Sequence, residues 1–201
     1  MAVSHSRLNE LRSSLIQLAG SFVREAILVP GVTRVALVGS ITTSKPNPKD
    51  VDLLVTVEDT ADLTPLAVLG RRLMGKAQSL ARGADLFLAN PRGKYIGRIC
   101  EWKDCRFGAR IRCDALHCGR RHYLHDDFKA VRLTSELVRS PPVNLWPEPR
   151  WTEPVPPDLL PMREMFQDGG GLPPLIKNPY RSAMNLPPDV FGRMPHVGLW
   201  C

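Results

Sequence analysis

Three acids carry the first chemical signal in this chain. Asp50 and Asp52 flank a single valine at the head of the apolar run "DVDLLVTV", and Asp85 stands inside "ADLFLA". In an extended strand alternate residues share a face, so Asp50 and Asp52 point the same way. Two carboxylates side by side repel, and burying them unpaired is costly. A divalent cation removes that conflict, because Mg2+ takes oxygen ligands, commonly one or two carboxylates together with substrate phosphates. Asp85 shares its face with Phe87 and Ala89, and an adjacent strand would bring it to the first two acids. The plainer reading is that Asp50 opens a turn and Asp52 pairs with a lysine.

The run before the acids supplies a complementary half. "TRVALVG" ends in Gly39, and Ser40 follows at once. Glycine lets a backbone approach a phosphate closely. The Ser40 hydroxyl and the free N–H groups beyond the strand can bind anionic oxygens. Lys45 and Lys49 lie in the intervening loop "ITTSKPNPK" and add positive charge.

Gly39-Ser40, nine residues, then Asp50-Val51-Asp52 in an apolar strand and a later acid on another strand resembles the nucleotidyltransferase superfamily typified by DNA polymerase β. Its minimal bacterial nucleotidyltransferases are the most similar branch, and the resemblance covers roughly residues 30–90. It implies an α+β fold with a mixed sheet flanked by helices. It also implies two Mg2+ ions on Asp50 and Asp52, nucleotide phosphates on Gly39 and Ser40, and completion of the metal site by Asp85. Asp85 would also help deprotonate the acceptor hydroxyl, with Asp114 as its rival. Minimal nucleotidyltransferases often act beside a separate helical partner protein, some of them in toxin–antitoxin pairs. The chain carries no obvious partner domain.

A second constellation is "CEWKDCRFGARIRCDALHC". Four residues separate Cys100 from Cys105 and Cys113 from Cys118, with seven between the pairs. Two equal pairs on tight turns suit a tetrahedral Zn2+ site, with His117 or His122 as substitutes for one thiolate. With all four ligands from protein the role is structural, and the ion supplies folding energy to a segment short of aliphatic residues. Four buried cysteines in a strand pair is the plainer reading. Cys201 stands apart as an uninvolved thiol. The group His117, His122, His125, Asp126 and Asp127 is either a second metal centre or a solvated turn. Arg120, Arg121 and Tyr123 have the chemistry to pair with phosphates and stack on bases.

Positioning these groups requires elements that the periodicity supplies. Residues 6–28 place Leu8, Leu11, Leu15, Leu18, Phe22 and Ala26 on one stripe, which predicts a helix stopped by Pro30-Gly31. Residues 33–39, 51–57 and 84–89 predict three strands. Thr64 and Pro65 predict the N-cap and first turn of a helix with Leu66, Leu69, Leu73, Ala77 and Leu80 on one face. Residues 128–139 fit either a strand or a short helix. Fourteen of the nineteen prolines fall after residue 140. The expected organisation is therefore a nucleotidyltransferase-like domain over 1–140, including the Cys/His/Arg-rich segment 92–125, followed by a Pro-rich extended or mobile tail over 141–201.

The chain of 201 residues is 43% hydrophobic with a net charge of +7, and residues 92–132 hold eleven Lys/Arg against five Asp/Glu. Such a basic segment favours a polyanion, nucleic acid or nucleotide. No apolar run reaches membrane-spanning length and the N-terminus lacks a signal-peptide core, so the expectation is a cytoplasmic protein with thiols rather than disulfides. Three functions compete. One is a Mg2+-dependent nucleotidyltransferase, moving a nucleoside monophosphate from an NTP to a hydroxyl on RNA, protein or a small molecule. The second is an inactive module of the same fold that binds nucleic acid or a protein through its basic zinc segment. The third is an inert remnant with a distorted end. The sequence reads out neither the base of the NTP nor the acceptor.

Overall fold

The computed structural model describes residues 2–100, 102–103, 121–126 and 128–167. In chain order they form α1 (Ala2–Ala26), β1 (Val32–Val38), β2 (Asp50–Val57), α2 (Thr64–Ser79), β3 (Gly83–Ala89), β4 (Tyr95–Ile99), β5 (Leu124–His125), α3 (Ser135–Arg139), β6 (Val143–Trp146), β7 (Arg150–Trp151) and α4 (Leu160–Gln167). Short 3-10 turns occupy Gly39–Thr42 and Pro157–Leu159. The fold is α+β: a mixed seven-stranded sheet in the order β5-β4-β3-β2-β1-β6-β7 with four helices. Only β2 and β3 run parallel, joined through α2. No helix among the described residues is long and apolar enough to cross a membrane.

Apolar spacing explains the layers. On α1, Leu15, Ala19, Phe22, Val23 and Ala26 recur at helical intervals and are buried. On α2, Leu66, Ala67, Leu73 and Ala77 do the same. They cover one face of the sheet, where Val51, Leu53, Val55 and Val57 of β2 meet Leu86 and Leu88 of β3. Thr64 is the first helical residue of α2 rather than its cap, and the Asp62 carboxylate accepts its backbone N–H at 2.9 Å.

The second face carries Ala36, Val38, Leu54, Phe87, Ala89 and Tyr95, packed under Val138 of α3 and partly buried Val131, Leu133 and Leu137. Residues 128–139 thus end in a short helix, with the Thr134 side chain accepting the Leu137 N–H. Arg34 on β1 fastens that helix. Its guanidinium donates to the Val138 carbonyl, to the Arg139 carbonyl at 3.2 Å and to Thr56 Oγ1 at 3.2 Å. Burial on both faces is why β2 reads as an almost unbroken apolar run.

Within the segment 92–125, β4 extends the sheet from β3 and β5 adds a further edge. One expectation is corrected: residues after 140 do not form a tail throughout. β6 pairs antiparallel with β1 inside the sheet, and Val143, Leu145, Leu159 and Met162 belong to the main core. The prolines permit this because they flank the elements: Pro141 and Pro142 precede β6, and Pro147 and Pro149 lie between β6 and β7. "VNLW" itself alternates, with Val143 and Leu145 buried and Asn144 and Trp146 partly exposed. Residues 168–201 lie outside the described residues.

Removing β6 would leave β1 with one unpaired side and expose the buried faces of Val143 and Leu145's partners. A chain ending at residue 140 is therefore expected to lose cooperative urea unfolding, whereas the full chain unfolds in one sigmoidal transition followed by circular dichroism.

Candidate active site

The register of the sheet gathers the acids. Asp52 lies opposite Asp85 across the parallel β2–β3 pair, and opposite Val38 across β1–β2. Asp50 lies opposite Gly83. Alternation puts Asp50, Asp52 and Leu54 on one face, and Asp85 and Phe87 on the same one. All three acids are partly exposed, at the end of that face away from the Arg34 contacts that hold α3.

Glycines make room for two of the three carboxylates. A β-carbon at Gly39 would collide with Asp52 Oδ2, and one at Gly83 with Asp50 Oδ1. Gly39 also has φ of +72°, a conformation that costs a side-chain-bearing residue energy. Gly39 was singled out from the sequence as a place where backbone could approach phosphate. Its neighbour in the structure is the Asp52 carboxylate. The position of Gly83 opposite Asp50 depends on strand register, which the sequence does not display.

Burial raises the Asp52 carboxyl from its ordinary 3.8 to about 7, with the negative charges of Asp85 and then Asp50 adding to the shift. Among the described residues neither Asp50 nor Asp52 has an ion-pair partner, so the lysine pairing envisaged for Asp52 is not formed. Asp85 is different. Arg98 Nη1 on β4 donates to Asp85 Oδ1 at 3.0 Å. Among the described residues no three His, Cys, Asp or Glu side chains are gathered as a metal-holding group. As they stand, then, the acids share a face while the third is held by a guanidinium.

The Gly-Ser turn is braced on several sides. A 3-10 turn starts at Gly39, and Thr42 Oγ1 and Thr43 Oγ1 donate to the Gly39 and Ser40 carbonyls, each at 2.8 Å. Arg12, a buried cation of α1, donates to the Ile41 carbonyl at 2.9 Å, the Lys45 carbonyl at 3.1 Å and Asp158 Oδ2 at 2.5 Å. Arg82 holds the far end of the loop through the Pro48 carbonyl at 3.1 Å and Asn47 Oδ1 at 2.6 Å. The side chains of Lys45 and Lys49 are exposed. Lys49 lines an open depression of about 390 Å³ with Asp50, Gln78, Ala81, Arg82 and Gly83.

Past Asp85 the same face turns aromatic. Phe87 and Tyr95 have ring centroids 6.3 Å apart, and Phe128 meets Tyr95 edge-on at 6.0 Å. Burial lifts the Tyr95 phenol to about 12, against a lowering by Arg98. Sequence reasoning missed Arg98, Arg12 and Arg82. Arg98 lies in "YIGRI", where Gly97 and Arg98 break the apolar pattern that would mark a strand.

The remaining candidates are only partly in view. Cys100 is buried at the end of β4, its N–H donating to the Tyr123 carbonyl at 2.7 Å. Cys105, Cys113, Asp114, His117, Cys118, Arg120, Asp127 and Cys201 lie outside the described residues. Arg121 donates to the Glu58 and Ala61 carbonyls, both at 2.9 Å, and so braces the β2–α2 loop. Arg71 sits over the Tyr123 ring at 5.6 Å.

The raised Asp52 carboxyl has a definite sign in stability. The unfolded chain ionises Asp52 near pH 4 and the folded one near pH 7, so folded stability falls as pH rises between those values. Asp52→Asn removes that slope: its thermal midpoint should exceed the parent's at about pH 8, with the gap closing towards about pH 4. Equal midpoints at both ends would contradict it. Comparison of the chain with protein-family models, with curated proteins and with solved structures found no match.

Proposed function

We propose that the chain is a Mg2+-dependent nucleotidyltransferase of the polymerase-β type, moving a nucleoside monophosphate from an NTP to a hydroxyl acceptor and releasing pyrophosphate. The observation that carries this reading is the register that sets Asp52 beside Asp85, with Asp50 on the same face and Gly39 packed against the Asp52 carboxylate. The donor set fits a hard cation, since all three groups offer carboxylate oxygens. A guanidinium already bonded to Asp85, with no ion-pair partner for Asp50 or Asp52 among the described residues, agrees with a face that receives cations.

Asp50, Asp52 and Asp85 would hold two Mg2+ ions, whose positive charge would favour an in-line displacement at phosphorus. Gly39 and Ser40, on a turn braced by Thr42, Thr43 and Arg12, would orient the phosphates, with Lys45 and Lys49 adding charge from the loop. The acceptor oxygen bonds to the α-phosphorus as the bond to pyrophosphate breaks. The hydroxyl proton passes to a carboxylate, for which Asp85 is the choice once Arg98 has left it. The basic segment, stapled by a structural Zn2+ on Cys100, Cys105, Cys113 and Cys118, would position an anionic acceptor such as RNA, and a separate helical protein would be the partner.

One observation favours a second reading, a catalytically silent fold that binds nucleic acid or protein through the same segment: the Arg98–Asp85 pair withholds one acid from any cation. Labelled NTPs, each incubated with Mg2+, total RNA and total protein, separate the two. The enzyme transfers label with at least one NTP, and Asp50→Asn or Asp52→Asn lowers transfer by about 100-fold or more while the protein stays folded. Label on nothing with all four NTPs establishes the silent reading.

A further inference from the structure

The outer side of α2 carries cations and no acid. Its charged residues are Arg71, Arg72 and Lys76, all basic. Arg71, Gly75 and Gln78 stand at helical intervals of four and three, so they form one stripe about 10 Å long. Arg82 and Lys49 continue it into the open depression that Gln78 also lines. Among the described residues Arg71, Arg82 and Lys49 have no carboxylate partner, and Arg72 has only an exposed pair with Glu25 at 3.5 Å. Two further observations set this stripe apart from a solvated helix face. Trp102 beside it is 50% exposed. The Trp102 carbonyl accepts Arg71 Nη1 at 3.3 Å, and the Arg71 guanidinium lies over the Tyr123 ring at 5.6 Å, so an exposed indole and a cation are held side by side. In the middle of the stripe stands Gly75, with nothing within 4 Å of the place a β-carbon would take. Glycine weakens a helix interior, and no close packing within the chain asks for one here.

We propose that this stripe is a binding track for a single-stranded nucleic acid, with a base stacked on Trp102, the sugar–phosphate backbone over Gly75, and phosphates paired with Arg71 and Arg82. A guanidinium forks onto phosphate oxygens, and an indole stacks on any base that is free of its own partners. A duplex hides its bases in its own stack, so the stripe selects single strands. An acidic peptide would answer the cations alone. The indole and the gap at Gly75 call for a flat ring and a backbone that comes close to the helix. Asp50 also lines the depression at the foot of the track, so the strand reaches the acid face end first. That last step rests on the nucleotidyltransferase reading, and it makes the acceptor the terminal hydroxyl of the strand. The track itself does not depend on it.

Fluorescence anisotropy of labelled single-stranded RNA and DNA, each about 12 nucleotides long, tests this on the full chain. The parent should bind at least one of them, and a duplex of the same sequence about tenfold more weakly or worse. Trp102→Ala should lose about tenfold in affinity with its salt dependence unchanged, and Trp102→Phe should recover most of the loss. Arg71→Gln should lower the salt slope by about 0.7, the share of one phosphate on a single strand, and Arg71→Lys should restore it. Gly75→Gln is the steric arm: it should raise the thermal midpoint and still weaken binding about tenfold, since the backbone no longer closes on the helix. Lys94→Gln, on the exposed turn between β3 and β4, should stay within about twofold of the parent. Binding of neither strand, a duplex bound as tightly as the single strands, or equal losses in Lys94→Gln and Arg71→Gln overturns the track. So does unchanged affinity in folded Trp102→Ala and Gly75→Gln. If Trp102→Ala fails to fold, Gly75→Gln and Arg71→Gln carry the test. The two readings fail separately. Oligonucleotide bound as expected, with label transferred to nothing, ends the enzymatic reading and leaves the track; label on protein or a small molecule, with no oligonucleotide bound, does the reverse.

Discussion

Repulsion among three carboxylates on one end of a sheet face is the constraint on which the rest of this structure depends. Neighbouring strands put Asp52 and Asp85 side by side, and Asp50 lies two residues along on the same face. Partial burial removes some of the water that would spread their charge, and the Asp52 carboxyl responds by holding its proton to about neutral pH. A fold with nothing to gain from the arrangement would place a cation beside each acid. Here one guanidinium serves Asp85, and glycines rather than basic residues lie against the other two. A carboxyl raised by burial and by like charges beside it is the kind of group that functional sites hold.

The remainder of the molecule can be understood as the support for that strained corner. Two amphipathic helices press on the opposite face, so the strands bearing the acids are held by apolar packing rather than by the acids' own contacts. Buried Arg12 joins α1, the turn after β1 and Asp158 near α4, with each of its three guanidinium nitrogens donating a hydrogen bond. Arg82 repeats the device at the far end of the loop. Arginine suits both places, since its several donors can meet several carbonyls in fixed directions.

Much of this was legible because apolar periodicity is a local signal. The helices over α1 and α2, the strands carrying Val35 to Val38, Leu53 to Val57 and Leu86 to Ala89, and the shared face of Asp50 and Asp52 all follow from spacing alone. Register is not local. Nothing in "ADLFLA" says that Asp85 lands opposite Asp52 rather than one pleat away, nor that Gly83 meets Asp50. β4 was overlooked because Gly97 and Arg98 interrupt its apolar character. Gly97 has φ of +133°, and a side chain there would strike the backbone of His125 and Asp126. The boundary expected near residue 140 failed for a different reason: proline density was taken over the whole stretch, while what matters is whether a proline falls inside an element or beside it.

One topological feature reaches beyond the folded state. β1 lies between β2, its near neighbour in the chain, and β6, which follows more than a hundred residues later. During synthesis the ribosome releases β1, β2, α2 and β3 well before β6 exists, so the growing polypeptide must wait with an apolar strand open on one side. That interval is when a chaperone, or another nascent copy of the same strand, competes for the vacant place. β6 closes the sheet beside the strand that leads into Gly39, so the candidate catalytic corner acquires that support only after β2, α2, β3, β4 and β5 have all emerged.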